Sequence, residues 1–191
     1  MRVAIILGSI RVGRQTHKIA YYLENKLQER EVEADMIDLL HYQLPLMEER
    51  AGRNPEQLPV VAEVGEKLKA ADAMILVTPE YHGTFSGVLK NAIDYYWNEF
   101  KKKPVGVVTA TNGKMGGINA STQLQHVILS MGSFAHPLKL LVPDVQQAFD
   151  DAFQPLNDEV VAKSARFLDE FLWFAEAITA AKQKTDKRSF V

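Results

Sequence analysis

The sequence predicts an α/β protein, a doubly wound five-stranded parallel sheet in strand order 2-1-3-4-5 with helices on both faces. Three observations predict it. Short apolar or β-branched runs alternate with amphipathic helical patterns along the chain. The run Ala73-Met74-Ile75-Leu76-Val77 is continuously apolar, as in a central strand covered on both faces. Three glycine- and polar-rich loops each follow a strand, and right-handed crossovers bring such loops to one edge of the sheet. No repeat, low-complexity block or linker interrupts the pattern, so residues 1–191 are expected to form a single domain.

The elements follow in order. Val3 to Leu7 is a short β-branched strand, and Ile19, Ala20, Leu23 and Leu27 mark one face of the helix after it. Glu33 to Leu39 is a weaker second strand that alternates with charged residues. Residues 40–56 have no clear period, and a connection of that length is usually functional or mobile. A helix is expected over 56–71, with Val60, Val61, Val64 and Leu68 inward. After the third strand, a helix is expected from Gly87 to Phe100, with Lys101-Lys102-Lys103 as its solvated end, where cations offset the helix dipole. Pro104 to Ala110 is the fourth strand, followed by a helix over 118–131 and a fifth strand around Pro137 to Val142. Residues 157–182 form a long amphipathic helix, and the polar segment Lys184 to Val191 reads as frayed.

Composition removes several function classes. A net charge of −2 gives no general pull towards nucleic acid or an anionic membrane. Zero cysteines remove disulfides, thiolate catalysis and cysteine-ligated metal. No apolar run is long enough to span a bilayer and no signal-peptide core precedes the first strand, so a cytoplasmic protein is the expectation. His41, His126 and His136 lack metal-ligand spacing, and no metal site is expected.

The first loop, Gly8-Ser9-Ile10-Arg11-Val12-Gly13-Arg14-Gln15-Thr16-His17, joins a strand to a helix N-terminus. Free N–H groups and the macrodipole favour an anion there, and Ser9, Thr16, Arg11 and Arg14 add donors for phosphate oxygens. A merely solvated βα loop could carry the same residues. The loop lacks both G-x-x-x-x-G-K-[ST] and G-x-G-x-x-G, which excludes the P-loop NTPase mechanism and leaves a dinucleotide fingerprint unsupported. The other two loops are 79–86 and 111–117. In this strand order the first and third strands flank the switch point where ligands bind, so convergence of the loops raises the case for a site.

Pro79-Glu80-Tyr81-His82-Gly83-Thr84-Phe85-Ser86-Gly87-Val88-Leu89-Lys90-Asn91-Ala92-Ile93-Asp94 is the most specific stretch. It resembles the P-E-Y-N/H-G-S-x-P/S-G-x-L-K-N-A-I/L-D signature of the NADPH-dependent FMN reductase family, flavodoxin-like reductases of flavins, quinones, chromate and azo dyes. The first loop resembles that family's G-S-x-R-x-G-[SR] phosphate loop, and Gly113 to Gln123 its third loop and following helix. The resemblance runs from residue 2 to about 143.

The resemblance implies a flavodoxin-like fold and an NAD(P)H-dependent FMN oxidoreductase that passes a hydride from NADPH to FMN, then to a small-molecule acceptor, by ping-pong kinetics. Ser9, Arg11, Gln15 and Thr16 would hold the FMN phosphate. Pro79, Glu80, Tyr81 and His82 would lie against the isoalloxazine ring, and Thr111, Asn112 and Gly113 would flank its other side. It also implies a homodimer or homotetramer. By charge and loop position, Arg14 and Lys114 are candidates for the extra phosphate of NADPH. His82 stands where asparagine is commoner, Ser86 where many members have proline, and Arg14 where serine is frequent.

No protein nucleophile or acid–base pair is required, because hydride transfer is the cofactor's chemistry. A non-enzymatic flavodoxin-type electron carrier is the alternative, weakened by the modest charge and by the 79–86 loop. A phosphoacceptor signalling domain would need acidic residues where Gly8-Ser9 and Thr78-Pro79 stand. The aromatic clusters Tyr95-Tyr96-Trp97 and Phe171-Leu172-Trp173-Phe174 read as core or interface.

Overall fold

Three strands, buried throughout except at Arg2, form the centre of the sheet. The computed structural model describes residues 1–188 and places β1 (Arg2–Leu7), β3 (Ala73–Thr78) and β6 (Pro104–Ala110) side by side and almost wholly buried. β2 (Glu33–Asp38) pairs outside β1, giving the order β2-β1-β3-β6-β7, all parallel. The predicted order therefore holds, with one difference at the far edge. Instead of one fifth strand over Pro137–Val142, two short strands pair with β6 in succession: β7 (Phe134–Ala135) and β8 (Leu140–Val142). The interruption contains His136, whose buried ring packs among Phe167, Phe171 and Phe174.

The period of two along each strand divides the core into two layers. Val3, Ile5 and Leu7 face α1 (Thr16–Gln28) and α6 (Asp158–Arg188). Ala4 and Ile6 face α2 (Pro59–Ala70), α3 (Gly87–Tyr95) and α4 (Ile118–Ser130). A small antiparallel hairpin, β4 (Glu80–Tyr81) and β5 (Thr84–Phe85), stands off the main sheet, and α5 (Val145–Ala148) is a single turn. The strand ends are level: Leu7 lies opposite Asp38 and Val77, Thr78 opposite Thr109, and Ala110 opposite Val142. Every loop leaving those ends emerges on one edge.

Helix limits differ from expectation at α2, α3 and α6. α3 stops at Tyr95, because Tyr96 turns extended and donates its hydroxyl to the Val61 carbonyl at 2.9 Å. Lys101–Lys103 is consequently no helix end. Lys103 is buried, and its Nζ donates to the Leu68 and Lys69 carbonyls at 2.6 and 3.0 Å, capping the C-terminus of α2. Burial, with the neighbouring Lys182 ammonium, pushes this amine down to about 8. At the chain end α6 continues to Arg188, so the part of the expected frayed segment from Lys184 to Arg188 is helical; 189–191 lie outside the described residues. Residues 40–56 are irregular, as expected, and the irregular stretch runs on to 58, because α2 starts at Pro59 and not at Glu56. The segment is tied to α3, with Met47 N–H donating to Asn91 Oδ1 at 2.9 Å and Asn91 Nδ2 to the Pro45 carbonyl at 2.7 Å. No helix among the described residues is long and apolar enough to cross a membrane.

Candidate functional site

The first loop is braced from within. Gly8 extends the ladder through its N–H to the Val77 carbonyl (2.8 Å), and it passes so close to α3 that a Cβ there would lie 2.6 Å from Leu89 Cβ. Only glycine fits. Ser9 and Thr16 are buried at either end of the loop, and the Arg14 N–H closes a turn onto the Arg11 carbonyl at 3.0 Å with Gly13 at φ +71°. Arg14 bridges both Asp38 carboxylate oxygens at 2.6 Å each and donates to the Ser9 carbonyl at 2.6 Å. Burial pushes the Asp38 carboxyl up, but hydrogen bonds from Arg14 and the Leu40 N–H, with the Arg14 charge, outweigh it and hold the group below its ordinary value. The Arg11 side chain is exposed and unpaired.

The second loop is the β4–β5 hairpin. His82 and Gly83, at φ +50° and +76°, are the two central residues of its turn, the geometry of a type I′ hairpin. Asparagine tolerates that backbone better than histidine, which gives the unusual His82 a conformational meaning; its side chain is exposed and does not line the cavity. Among the described residues Glu80 has no salt-bridge partner. Its carboxylate accepts the Ala120 N–H at 3.0 Å and Asn119 Nδ2 at 3.4 Å, capping the N-terminus of α4 from outside. Gln123 on α4 donates to the Gly83 carbonyl at 2.7 Å, so the hairpin is held at two points. Ser86 is the N-cap of α3, accepting the Leu89 N–H at 3.3 Å, and it donates to the Gly8 carbonyl at 2.6 Å. A proline there would lack this bond between the first two loops.

The third loop is held by little more than backbone. Thr111 exchanges bonds with the Val142 carbonyl and the Val145 N–H, both at 3.0 Å. Gly116 and Gly117 take φ +60° and +86°, and a Cβ on Gly117 would lie 2.8 Å from Thr109 Cβ. Asn112, Gly113, Lys114 and Met115 are exposed.

The three loops enclose one cavity of about 470 Å³. Of the residues predicted for the cofactor, Ser9, Arg11, Gln15, Thr16, Pro79, Glu80, Tyr81, Thr111, Asn112 and Gly113 line it, and His82 does not. Arg14 and Lys114 line it too, but the Arg14 guanidinium is engaged by Asp38 while Lys114 is free. Sequence reasoning assigned no cofactor contact to Gly13, Ala110, Met115 and Gly117, which also line the cavity, and missed Asp38, which holds Arg14 without lining it. Among the described residues no group of three His, Asp or Glu side chains is arranged to hold a metal ion.

The cavity size suits a small-molecule cofactor. Its loops differ in chemistry: the first brings buried hydroxyls, a free guanidinium and a helix N-terminus, and the other two bring Pro79, Tyr81, Ala110 and Met115 together with the polar Glu80, Asn112 and Lys114. A phosphate joined to a flat ring system fits that division. Residues 1–147 match the family model described as NADPH-dependent FMN reductase. The chain belongs to that family.

Relatives agree. An FMN-dependent NADPH-azoreductase of Staphylococcus aureus is 35% identical over 183 residues, 91% of this chain and 95% of that protein. Among solved structures, the flavoenzyme NAD(P)H:(acceptor) oxidoreductase FerB of Paracoccus denitrificans superposes with a TM-score of 0.80 at 24% identity, covering 92% of this chain and 97% of that one. An oxidoreductase of Corynebacterium diphtheriae gives 0.72 at 18% identity over 94% and 97%. These structures share the fold. The family member described here is an NAD(P)H-dependent FMN oxidoreductase, and the electron-carrier alternative is not favoured.

Proposed function

We propose that the cavity holds FMN with its phosphate in the first loop and its ring between the hairpin and the third loop, and that NADPH and an acceptor use the same open side in turn. Convergence of the three loops on one cavity, with buried hydroxyls, Arg11 and a helix N-terminus contributed by the first of them, carries this reading. Ser9, Thr16 and the first N–H groups of α1 would take the phosphate oxygens, and Arg11 would supply the balancing charge. Gln15 would support them from the N-cap position of α1. Pro79, Glu80 and Tyr81 would offer backbone donors to one edge of the ring, and Thr111, Asn112 and Gly113 would close the other side. FMN, when bound, supplies the hydride chemistry. The chain's own residues orient the ring and leave one side accessible.

Lys114, exposed in the third loop and lining the cavity, is the cation available to a nucleotide phosphate; Arg14 is committed to Asp38. The acceptor in this reading is a small planar molecule, an azo compound being the first to try given the Staphylococcus aureus relative. We also propose a cytoplasmic homodimer or homotetramer, with the exposed Leu46, Leu58 and Trp97 as the apolar surface a second copy would cover.

The test is an anaerobic NADPH titration of FMN-reconstituted protein, following the visible flavin band. Stoichiometric bleaching is expected, followed by recovery of the band on adding an azo dye. FMN binding without bleaching would restore the electron-carrier reading, and absence of flavin binding would reject both.

A further inference from the structure

Among the described residues, no hydrogen bond or ion pair joins Asp38 to the flavin-ring loops, and it does not line the cavity, yet it is among the most constrained polar groups of the molecule. It ends β2, is 2% exposed, and receives both Arg14 guanidinium nitrogens, the Leu40 N–H at 3.0 Å and the Tyr21 hydroxyl at 3.4 Å. His41 Nδ1 lies 3.8 Å away. A buried ion pair is weak evidence for stability in itself, since well-packed apolar residues often do as well; its clearest use is to specify one geometry.

The geometry specified here is that of the first loop. The Arg14 guanidinium, fixed by Asp38, returns to the Ser9 carbonyl, while the Arg14 N–H returns to the Arg11 carbonyl. Residues 9–14 are thereby closed into a ring anchored on β2, and the Arg11 side chain, with no partner of its own, projects from it. Resting on the assignment of the FMN phosphate to this loop, we propose that Asp38 is a positioning residue for phosphate recognition, acting through Arg14 to fix Ser9 and Arg11. Arg14 serves the site as scaffold and leaves phosphate contact to its neighbours. Discrimination between phosphorylated and unphosphorylated flavin therefore originates in part from a carboxylate on the neighbouring strand.

The experiment compares dissociation constants for FMN and riboflavin, by flavin fluorescence, in wild type, Asp38→Asn and Arg14→Lys. Wild type should prefer FMN; if it does not, the phosphate assignment itself is wrong, whatever the variants do. Both variants should weaken FMN by about tenfold or more, equivalent to about 1.4 kcal/mol, and leave riboflavin within about twofold. The Asp38→Asn effect should shrink in an Arg11→Ala background, because the two act through one contact. Equal weakening of both flavins would reduce Asp38 to general scaffolding, and unchanged FMN binding would remove its role. Tighter FMN binding would mean that Arg14, once released, binds phosphate directly, which also overturns the proposal. If Asp38→Asn does not fold, Arg14→Lys and Arg14→Gln carry the same comparison, since Arg14 keeps some contact with solvent.

Discussion

The two walls of the cavity are built on opposite principles. The first loop is fastened by side chains that come from elsewhere: Asp38 from β2 through Arg14, and Ser86 from the start of α3 through the Gly8 carbonyl. The third loop is fastened by its own backbone and by Thr109, whose hydroxyl donates to the Gly116 carbonyl at 2.6 Å. A dianionic phosphate demands fixed donors, and small displacements forfeit much of a charge-assisted bond. A ring system that must admit two successive partners is better served by a glycine-rich wall with exposed side chains. Between them the β4–β5 hairpin is tied to both sides: Ser86, just beyond it, to the first loop, and the Glu80 carboxylate and Gly83 carbonyl to Ala120 and Gln123 of the helix that follows the third.

Breaking the braced wall should have the largest effect on folding. Asp38→Asn leaves Arg14 without its counter-charge and should lower stability by about 3 kcal/mol at neutral pH, read by urea denaturation. The pH dependence has a definite sign. Asp38 titrates below its ordinary value in the folded protein, so its contribution is present above the unfolded-state pKa and is lost as pH falls through the depressed one. The gap between wild type and Asp38→Asn should accordingly close in acid, below the usual carboxylate range. A gap that stays constant with pH would mean that the carboxylate charge does not carry the effect.

The backbone wall has one comparable point. Gly117→Ala meets both a positive φ and Thr109 Cβ, and should cost about 2 kcal/mol, with flavin content falling in parallel. Arg11→Ala separates binding from folding on the other side. Its side chain is exposed and unpaired, so stability should not change, while FMN affinity should fall by about 1–2 kcal/mol, the loss of a charge-assisted bond. Unchanged affinity would take Arg11 out of the phosphate site.

How much of this was legible in the sequence follows from the range of each interaction. β1, β3 and β6 announce themselves because strands buried on both faces read as nearly continuous apolar runs, and the loops after them carry glycine and hydroxyl residues in sequence order. The cavity lining could be read because each loop contributes a contiguous stretch. Individual side-chain roles could not. Asp38 lies 24 residues from Arg14 and looks like one more charge in an alternating edge strand until β1 and β2 pair. Lys103 looks like the last of three solvated lysines until α3 is seen to end at Tyr95, leaving it to cap α2. Two-residue strands such as β4 and β5 are too short for a period of two to show, so the hairpin emerges only with the antiparallel pairing and the positive φ values of His82 and Gly83.

The smallest expected effect on folding gives the sharpest test of the compliant wall. Gly113 and Gly117 are four residues apart in one loop, yet they are constrained differently. Gly113 has no positive φ, and a Cβ there would meet only Thr111 Oγ1, at 3.8 Å, so the folded chain has room for a side chain. That room faces the cavity. Gly113→Val should leave stability within about 0.5 kcal/mol of wild type, as surface substitutions do, and still exclude the flavin ring. The expected result is a normal urea midpoint with little bound FMN, and with affinity for inorganic phosphate unchanged because the braced wall is untouched. A normal flavin content would move the ring away from this loop. A large loss of stability would mean that the third loop is as tightly specified as the first, and the contrast between the two walls would fail.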